Sequence, residues 1–251
     1  MQDKSDDYDN QNNFYNSSYE RAKKDDLADG YRWVNFTGEK QLATLNLVKG
    51  DNVYGEKLVL YDKEEYRLWD PYRSKLAASL LKGLKNLPIK NGSHVLYLGA
   101  STGTTVSHIS DIIGSSGVVF AIESSIRVAR ELIENVANKR ENIIPIIEDA
   151  RKPSSYFSTY GEIDVVYCDI AQPDQTEIAI NNCNMFLRDK GKILLVIKAR
   201  SIDVTKDPKS IILQEAKKLE NSGFNIEQII NLDPYDKDHG LIYATYNQKK
   251  S

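Results

Sequence analysis

From residue 94 onward, short apolar runs rich in β-branched residues alternate with segments of helical periodicity, and no other feature of the chain restricts its fold as much. The runs are HVLYL (94–98), VVFAI (118–122), NIIPII (142–147), DVVYCD (164–169), ILLVIK (193–198), NIEQIIN (225–231) and LIYATY (241–246). Between them, Thr105–Ile113, Ile126–Ala137, Gln175–Leu187 and Pro208–Ser222 carry apolar residues at helical spacing. A strand–helix–strand repeat with strands apolar on both sides implies a mostly parallel sheet covered by helices on its faces. Only residues 232–240 separate the last two runs. That is short for a crossover helix, so the final strand is expected to be antiparallel. The expectation is a Rossmann-like α/β fold with a mostly parallel seven-stranded sheet.

Upstream, YRWVNF (31–36), QLATLNLV (41–48), KLVLYD (57–62) and EYRLWD (65–70) alternate and are punctuated by Gly38, Gly50 and Gly55. They read as a small antiparallel β domain over residues 31–70. Helical spacing resumes at Tyr72–Leu84, with Pro71 expected in the first turn, and opens a second unit over residues 71–251. Residues 1–30 are polar and acidic and read as a disordered tail. The whole chain has a net charge of −3; residues 1–29 hold eight acids and four bases, so the rest, with 28 acids and 29 bases, stands at +1. A body so close to neutral does not capture nucleic acid by bulk charge alone. Cys168 and Cys183 are too few for a disulfide framework or a zinc cluster, and no metal is expected. No apolar run reaches the roughly 18 residues of a membrane helix. The opening MQDKSDDYDN resembles neither a secretory signal nor a transit peptide.

Ligands of open α/β sheets bind beyond the carboxyl ends of the strands. Those ends are Gly99–Thr105, Glu123, Asp149, Asp169–Gln172, Lys198–Asp203 and Asp233–His239. VLYLGASTGTT (95–105) is a strand, a small-residue turn and a helix start, with Gly99 and Gly103 allowing close backbone approach and Ala100 a further candidate cofactor residue of the turn. It is neither the dinucleotide G-x-G-x-x-G fingerprint nor a phosphate loop. Glu123 suits the two ribose hydroxyls of an adenosine, and Asp149 suits its amine. The missing pyrophosphate motif favours S-adenosyl-L-methionine over a nicotinamide cofactor.

VLYLGASTGTTVSHISDI, DVVYCDIAQPDQTEIAI, LLVIKARSID and LDPYDKDH resemble the motifs of the archaeal fibrillarin family, and NVYGEKLV and YRLWDPYRSKLAA resemble the segment before its core. The resemblance runs from about Asn52 to Tyr246 in order and spacing. It implies an S-adenosylmethionine-dependent methyltransferase fold and box C/D guide-RNA-directed 2′-O-methylation of ribose in rRNA, and in tRNA. The family's Lys-Asp-Lys-His tetrad falls on Lys75, Asp169, Lys198 and His239. Its cofactor contacts fall on Thr104, Thr105, Glu123, Ser124, Asp149, Ala150, Asp169, Ile170, Ala171 and Gln172. Ser124 stands where the family often has an aromatic residue, so adenine stacking is not expected from it.

Lys198 ends a strongly apolar strand, where a charge is costly unless paired. It is expected to act on the 2′-hydroxyl, either as base or as a cation facing the developing alkoxide. Asp169 would position Lys198 and the methyl donor, and Lys75 and His239 would hold the ribose and its phosphate. His94 and His108 are assigned to structure, Cys168 to the core, and Asp174 to a helix cap. Arg73, Lys82, Lys85, Lys90, Arg200, Lys206 and Lys209 form a candidate RNA-facing rim. The implied partners are a Nop-family scaffold protein, a kink-turn-binding ribosomal L7-like protein, the box C/D guide RNA and the substrate RNA, in an archaeal cytoplasm. The competing reading is a stand-alone methyltransferase of a small molecule or a protein side chain.

Overall fold

A run that is apolar at every position needs cover on both faces, and Ile193–Ile197 are all fully buried inside the large sheet. The computed structural model describes residues 27–28, 30–156 and 162–247; of the tail expected at 1–30, residues 1–26 and 29 lie outside the described residues. The chain order is β1 (Leu27–Ala28), β2 (Tyr31–Phe36), β3 (Glu39–Leu45), β4 (Leu58–Tyr61), β5 (Glu64–Leu68), α1 (Lys75–Leu81), β6 (His94–Leu98), α2 (Thr104–Ile113), β7 (Val118–Glu123), α3 (Ile126–Asn135), β8 (Ile143–Ile147), β9 (Ile163–Cys168), α4 (Gln175–Phe186), β10 (Leu187–Lys198), α5 (Ala199–Ile202), α6 (Pro208–Asn221), β11 (Phe224–Asn231) and β12 (His239–Tyr246).

The large sheet has the order β11-β12-β10-β9-β6-β7-β8. β12 runs antiparallel to both β10 and β11, as the short connection requires. Pro145 lies in β8, the sheet edge, where its missing N–H removes no bond to a further strand. β10 begins earlier than the apolar run suggests: Leu187 already pairs with Ile163, and the register shifts before Lys192. Alternate strand residues feed two cores. Val95, Tyr97, Val165 and Val196 face α1, α2 and α3; Leu96, Leu98, Val166 and Leu195 face α4 and α6.

The second sheet has five strands, ordered β1-β2-β3-β5-β4 and antiparallel throughout. Leu27–Ala28, assigned to the tail from sequence, is a strand of this sheet. The two sheets are not independent, because Leu42 and Trp69 belong to the same core as α1 and α2. A buried polar network also ties them. Arg67 pairs with Glu56 at 2.6 Å and with Asp111 at 2.9 Å, and Arg140 reaches Asp111 at 2.6 Å. Two cations against two anions keep the site neutral, the condition for burying charge at tolerable cost.

His108 completes this network and is structural, as expected. The Thr44 hydroxyl gives its hydrogen to Asp111, so it accepts from Nδ1–H of His108, while Nε2 accepts from Tyr54. Burial, with Arg67 and Arg140 nearby, holds this histidine well below its ordinary pKa, in keeping with the neutral tautomer.

Two local expectations are corrected. Pro71 precedes α1 rather than opening it; Ser74 is the cap, its hydroxyl accepting from the Ala77 amide, and Lys75 is the first helical residue. Asp174 sits at the cap position of α4 without a side-chain capping bond. Its carboxylate is taken by Arg151, at 2.7 and 2.9 Å, a stronger charged partner than a backbone amide.

Candidate active site

A cleft of about 250 Å³ opens beyond the carboxyl ends of β6, β7, β8, β9 and β10. Gly99, Glu123, Ser124, Asp149, Ala150, Asp169, Ile170, Ala171 and Gln172 all line it, so nine predicted cofactor residues from separate strands converge. Ala100, Gly103, Thr104 and Thr105 do not line it. Ala100 is buried, Gly103 caps α2 in a left-handed conformation, and Thr105 is buried with its hydroxyl donating to Ser74. They shape the loop from behind.

The reason for glycine at 99 and 103 is steric. Gly99 has φ +83, and a Cβ there would lie 2.9 Å from the Asp169 carbonyl oxygen. At Gly103, φ +94, a Cβ would lie 2.7 Å from Leu132 and Val136 side chains. The loop thus lies against both β9 and α3.

Glu123 is held by two backbone amides. Its Oε2 accepts from Ser101 N–H and its Oε1 from Ser125 N–H, each at 2.9 Å. Each oxygen keeps a further lone pair, which matches a vicinal diol. Ile122, Ile170 and Ile178 supply apolar wall, and Asp149 stands beyond them with one oxygen on the Arg151 amide. Apolar walls, a diol acceptor and an acid for an amine fit an adenosine group. Sequence reasoning missed Glu148 and Arg151 on this wall, and had Ser101 only as part of the Gly99–Thr105 segment. Arg151 spans the mouth by bonding Asp174 and Gln172, partners 23 and 21 residues away with no local signal.

The four predicted reactive residues form one connected group at the edge of this cleft. Lys198 Nζ lies 2.8 Å from Asp169 Oδ1 and donates to the Asp169 carbonyl at 2.9 Å. Lys75 Nζ lies 3.3 Å from Asp169 Oδ2. Lys75 is not on a solvated helix face: its side chain is 21% exposed, against 17% for Lys198 and 14% for Asp169. Lys75 also lies 3.5 Å from Asp236, which in turn lies 2.9 Å from His239 Nδ1. Asp236 is the fifth member and was overlooked in sequence, although it lies within the LDPYDKDH segment. The loop carrying it contains a cis Asp233–Pro234 peptide.

Burial works against the Lys75 charge, but the carboxylates of Asp169 and Asp236 outweigh it and raise its pKa. Lys75 therefore stays an ammonium. The same competition raises the pKa of His239: burial opposes its charge, and the bonds to Asp236 and the Lys237 carbonyl prevail. His239 Nδ1 serves both of those acceptors, which leaves Nε2 for a ligand.

The candidate rim divides. Lys90 lines a depression with Asp164 and Arg188, at the far end of the sheet. Lys82 and Lys85 follow the end of α1, which runs away from the site. Only Arg73, Arg200, Lys206 and Lys209 stay near the strand ends; Arg200 pairs with Asp238 and Lys206 with Asp203. No group of three or more metal-ligating side chains exists among the described residues.

Known proteins resemble this chain in sequence and fold. The sequence profile of the family described as Fibrillarin matches residues 22–248. The chain is 58% identical over 209 residues to a fibrillarin-like rRNA/tRNA 2′-O-methyltransferase of Saccharolobus islandicus, covering 83% of this chain and 90% of that one. Among solved structures, Aeropyrum pernix fibrillarin with natively bound S-adenosyl-L-methionine superposes with a TM-score of 0.80 at 49% identity, over 86% of this chain and 94% of that one. A fibrillarin in complex with Nop5p superposes with a TM-score of 0.79 at 38% identity, over 89% of this chain and all of that one. With the profile spanning almost its full length and the strand-end residues gathered as the motifs require, the chain belongs to the fibrillarin family.

Proposed function

We propose that this protein transfers the methyl group of S-adenosyl-L-methionine to a ribose 2′-hydroxyl in rRNA and tRNA, at positions chosen by a box C/D guide RNA. The observation that carries this reading is that Asp169 and Lys198 belong both to the adenosine-sized cleft and to the charged group at its edge. A methyl donor in the cleft and an acceptor oxygen on the charged group thus meet at the same two residues. The relatives' names and the solved complexes support it.

When bound, the sulfonium supplies a methyl group already activated for displacement. The protein then has to place the acceptor oxygen in line and ease loss of its proton. Glu123 anchors the nucleoside, and Asp169 fixes Lys198. The Lys198 ammonium donates to the Asp169 carbonyl and lies 2.8 Å from its carboxylate, and its remaining donor capacity is proposed to meet the 2′-oxygen. Lys198 acts there as a cation that stabilises developing alkoxide, with the charged Lys75 reinforcing the field; as the O–CH3 bond forms and the S–CH3 bond breaks, the hydroxyl proton passes to water and the sulfonium leaves as a neutral thioether. His239, through Nε2, and Lys75 hold the ribose and its phosphate.

The near-neutral body fits a subunit brought to RNA by protein contact. The partners in this reading are a Nop-family scaffold protein, a kink-turn-binding L7-like protein, the guide RNA and the substrate RNA, in the cytoplasm. The five-stranded sheet, with residues 31–70 as its main part, serves as docking platform, and residues 71–251 as the catalytic unit. Among the described residues no helix is long and apolar enough to cross a membrane.

Reconstitution with guide RNA and both proteins, followed by mapping of methylated riboses, tests the function. Transfer is expected only in the complete assembly, and no transfer there rejects the reading. Lys198→Ala should lower turnover by about 100-fold or more, as loss of a charge-stabilising donor does, with cofactor affinity nearly unchanged. Retained turnover rejects the role of Lys198.

A further inference from the structure

Lys75 and His239 meet at one edge of the site, and two cations do not stay charged side by side unless an anion lies between them. Asp236 is that anion. Its Oδ2 lies 3.5 Å from Lys75 Nζ and its Oδ1 lies 2.9 Å from His239 Nδ1, so each oxygen serves one cation. Burial works against the Asp236 charge, but His239 and Lys75 outweigh it and hold the carboxyl below its ordinary value. With Asp236 included, positive and negative groups alternate along Lys198, Asp169, Lys75, Asp236 and His239.

The backbone fixes Asp236 in this place. The Leu232 amide donates to the His239 carbonyl at 3.1 Å and closes the loop between β11 and β12. The Tyr235 and Asp236 amides both donate to the Leu232 carbonyl, at 3.0 and 3.2 Å. Leu232 is fully buried, and Tyr235 packs against the same core, which also holds Leu76 of α1.

The ring of His239 does not need Asp236 for its orientation. Its Nδ1–H also meets the Lys237 carbonyl at 2.7 Å, a bond that a neutral imidazole makes equally well. What the carboxylate adds is a reason for the ring to be charged. The other groups around the ring do not supply one. Lys75 opposes the charge, and Lys198, opposite His239 in the β10–β12 register, is paired with Asp169. Asp207, Lys209 and Asp233 share a depression with His239. Asp207 accepts from the Ser210 amide at the start of α6, and Asp233 accepts from Asn231. Asp238 is taken by Arg200. Among the described residues, Asp236 is the only carboxylate paired with the ring.

We propose that Asp236 is a positioning residue of the methyl transfer: it keeps His239 an imidazolium beside the Lys75 ammonium, so that His239 Nε2–H and Lys75 together grip a backbone phosphate of the acceptor strand. This rests on the guided-methylation reading for the identity of the strand. Asp236 itself touches no substrate and acts through the two cations. A phosphodiester gripped in this way is the same for every nucleotide, which suits an enzyme whose target is chosen by a guide.

The test has two parts. The first follows the His239 imidazole signals of the full chain by NMR as pH is varied; the chain has three histidines, and His108 in its buried network reports that the fold is intact. Asp236→Asn keeps the shape and removes the charge, so the His239 titration should move to lower pH, and Asp236→Glu should move it back. The second part measures turnover of the assembled ribonucleoprotein. Near neutral pH, Asp236→Asn should raise KM for substrate RNA about tenfold, the worth of a charge-assisted hydrogen bond, with cofactor affinity unchanged. The rise of KM with pH should shift to lower pH together with the titration. In a His239→Gln background the same substitution should add much less, because the group it acts through is gone. An unmoved His239 titration in Asp236→Asn overturns the proposal. So does an unchanged KM, or an equal rise in KM with and without His239, which marks Asp236 as a loop-stabilising residue only. If the wild-type assembly transfers no methyl group, the guided reading fails and the phosphate contact falls with it, while the titration, which needs no RNA, still decides whether Asp236 holds His239 charged.

Discussion

Replacing Arg67 by Met removes the cation at the centre of the buried network while leaving a side chain of similar length. Arg67 and its partners Glu56 and Asp111 have side chains 0%, 2% and 0% exposed. After the change Asp111 keeps Arg140 at 2.6 Å, and the Thr44 hydroxyl. Glu56 keeps the amides of Val53, Tyr54 and its own residue, and no cation among the described residues. One uncompensated buried carboxylate costs about 3–5 kcal/mol. For a chain of this size 1 kcal/mol moves Tm by about 2–4 °C, so a loss of about 4 kcal/mol predicts a fall of roughly 8–16 °C. In the wild type, burial pushes the Glu56 pKa up, and Arg67 with the amides brings it below the ordinary value. Without Arg67 burial is less opposed and the carboxyl holds its proton to higher pH. The deficit should therefore be largest at neutral pH and shrink as pH falls. Adding Glu56→Gln should recover half or more of the loss, because the stranded charge is gone. Thermal unfolding of the two variants at two pH values measures this. A single variant within 2 °C of wild type, or a double variant less stable than the single, refutes the reasoning.

Three further outcomes follow from the site. Glu123→Gln removes the charge that meets the ribose diol, so cofactor affinity should fall about 10- to 100-fold, the worth of a charge-assisted hydrogen bond; calorimetric titration showing less than a twofold change contradicts it. Gly99→Ala puts a Cβ 2.9 Å from the Asp169 carbonyl at φ +83, and that carbonyl also accepts from Lys198. Stability should drop by more than about 1 kcal/mol and turnover with it, and a variant with unaltered melting and kinetics would show that the loop is looser than its geometry. His239 has a raised pKa, so the stabilisation from its protonated pair with Asp236 is fully present below the ordinary value of 6.5 and is lost as pH rises through the raised one. His239→Gln should therefore destabilise the protein at pH about 5.5 and converge on wild type near pH about 9; equal losses at both values would exclude the ion pair as the cause.

Periodicity alone determined much of this protein. Every apolar run from 94 to 246 became a strand, and the short gap at 232–240 marked β12 as antiparallel, because a crossover needs chain length that the gap lacks. The strand-end rule then selected the site without side-chain geometry: Glu123, Asp149, Asp169 and Lys198 are far apart in sequence, yet parallel strands bring their carboxyl ends to one edge. The resemblance supplied the tetrad, and the structure joined its four members through carboxylates.

What only tertiary structure decided are the pairings between groups with no shared period. Asp236 looked like one polar loop residue among several until the loop brought it between Lys75 and His239. Asp174 looked like a cap until Arg151, from the loop after β8, took its carboxylate. Arg67, Asp111 and Arg140 carried no sign that they would be buried, because burying charge depends on partners 29 and 44 residues away arriving together. Local sequence specifies backbone conformation and apolar faces through short-range sterics and periodicity. The partner of a charge is set by which elements the packed core brings into contact, and that is known only once the chain has folded.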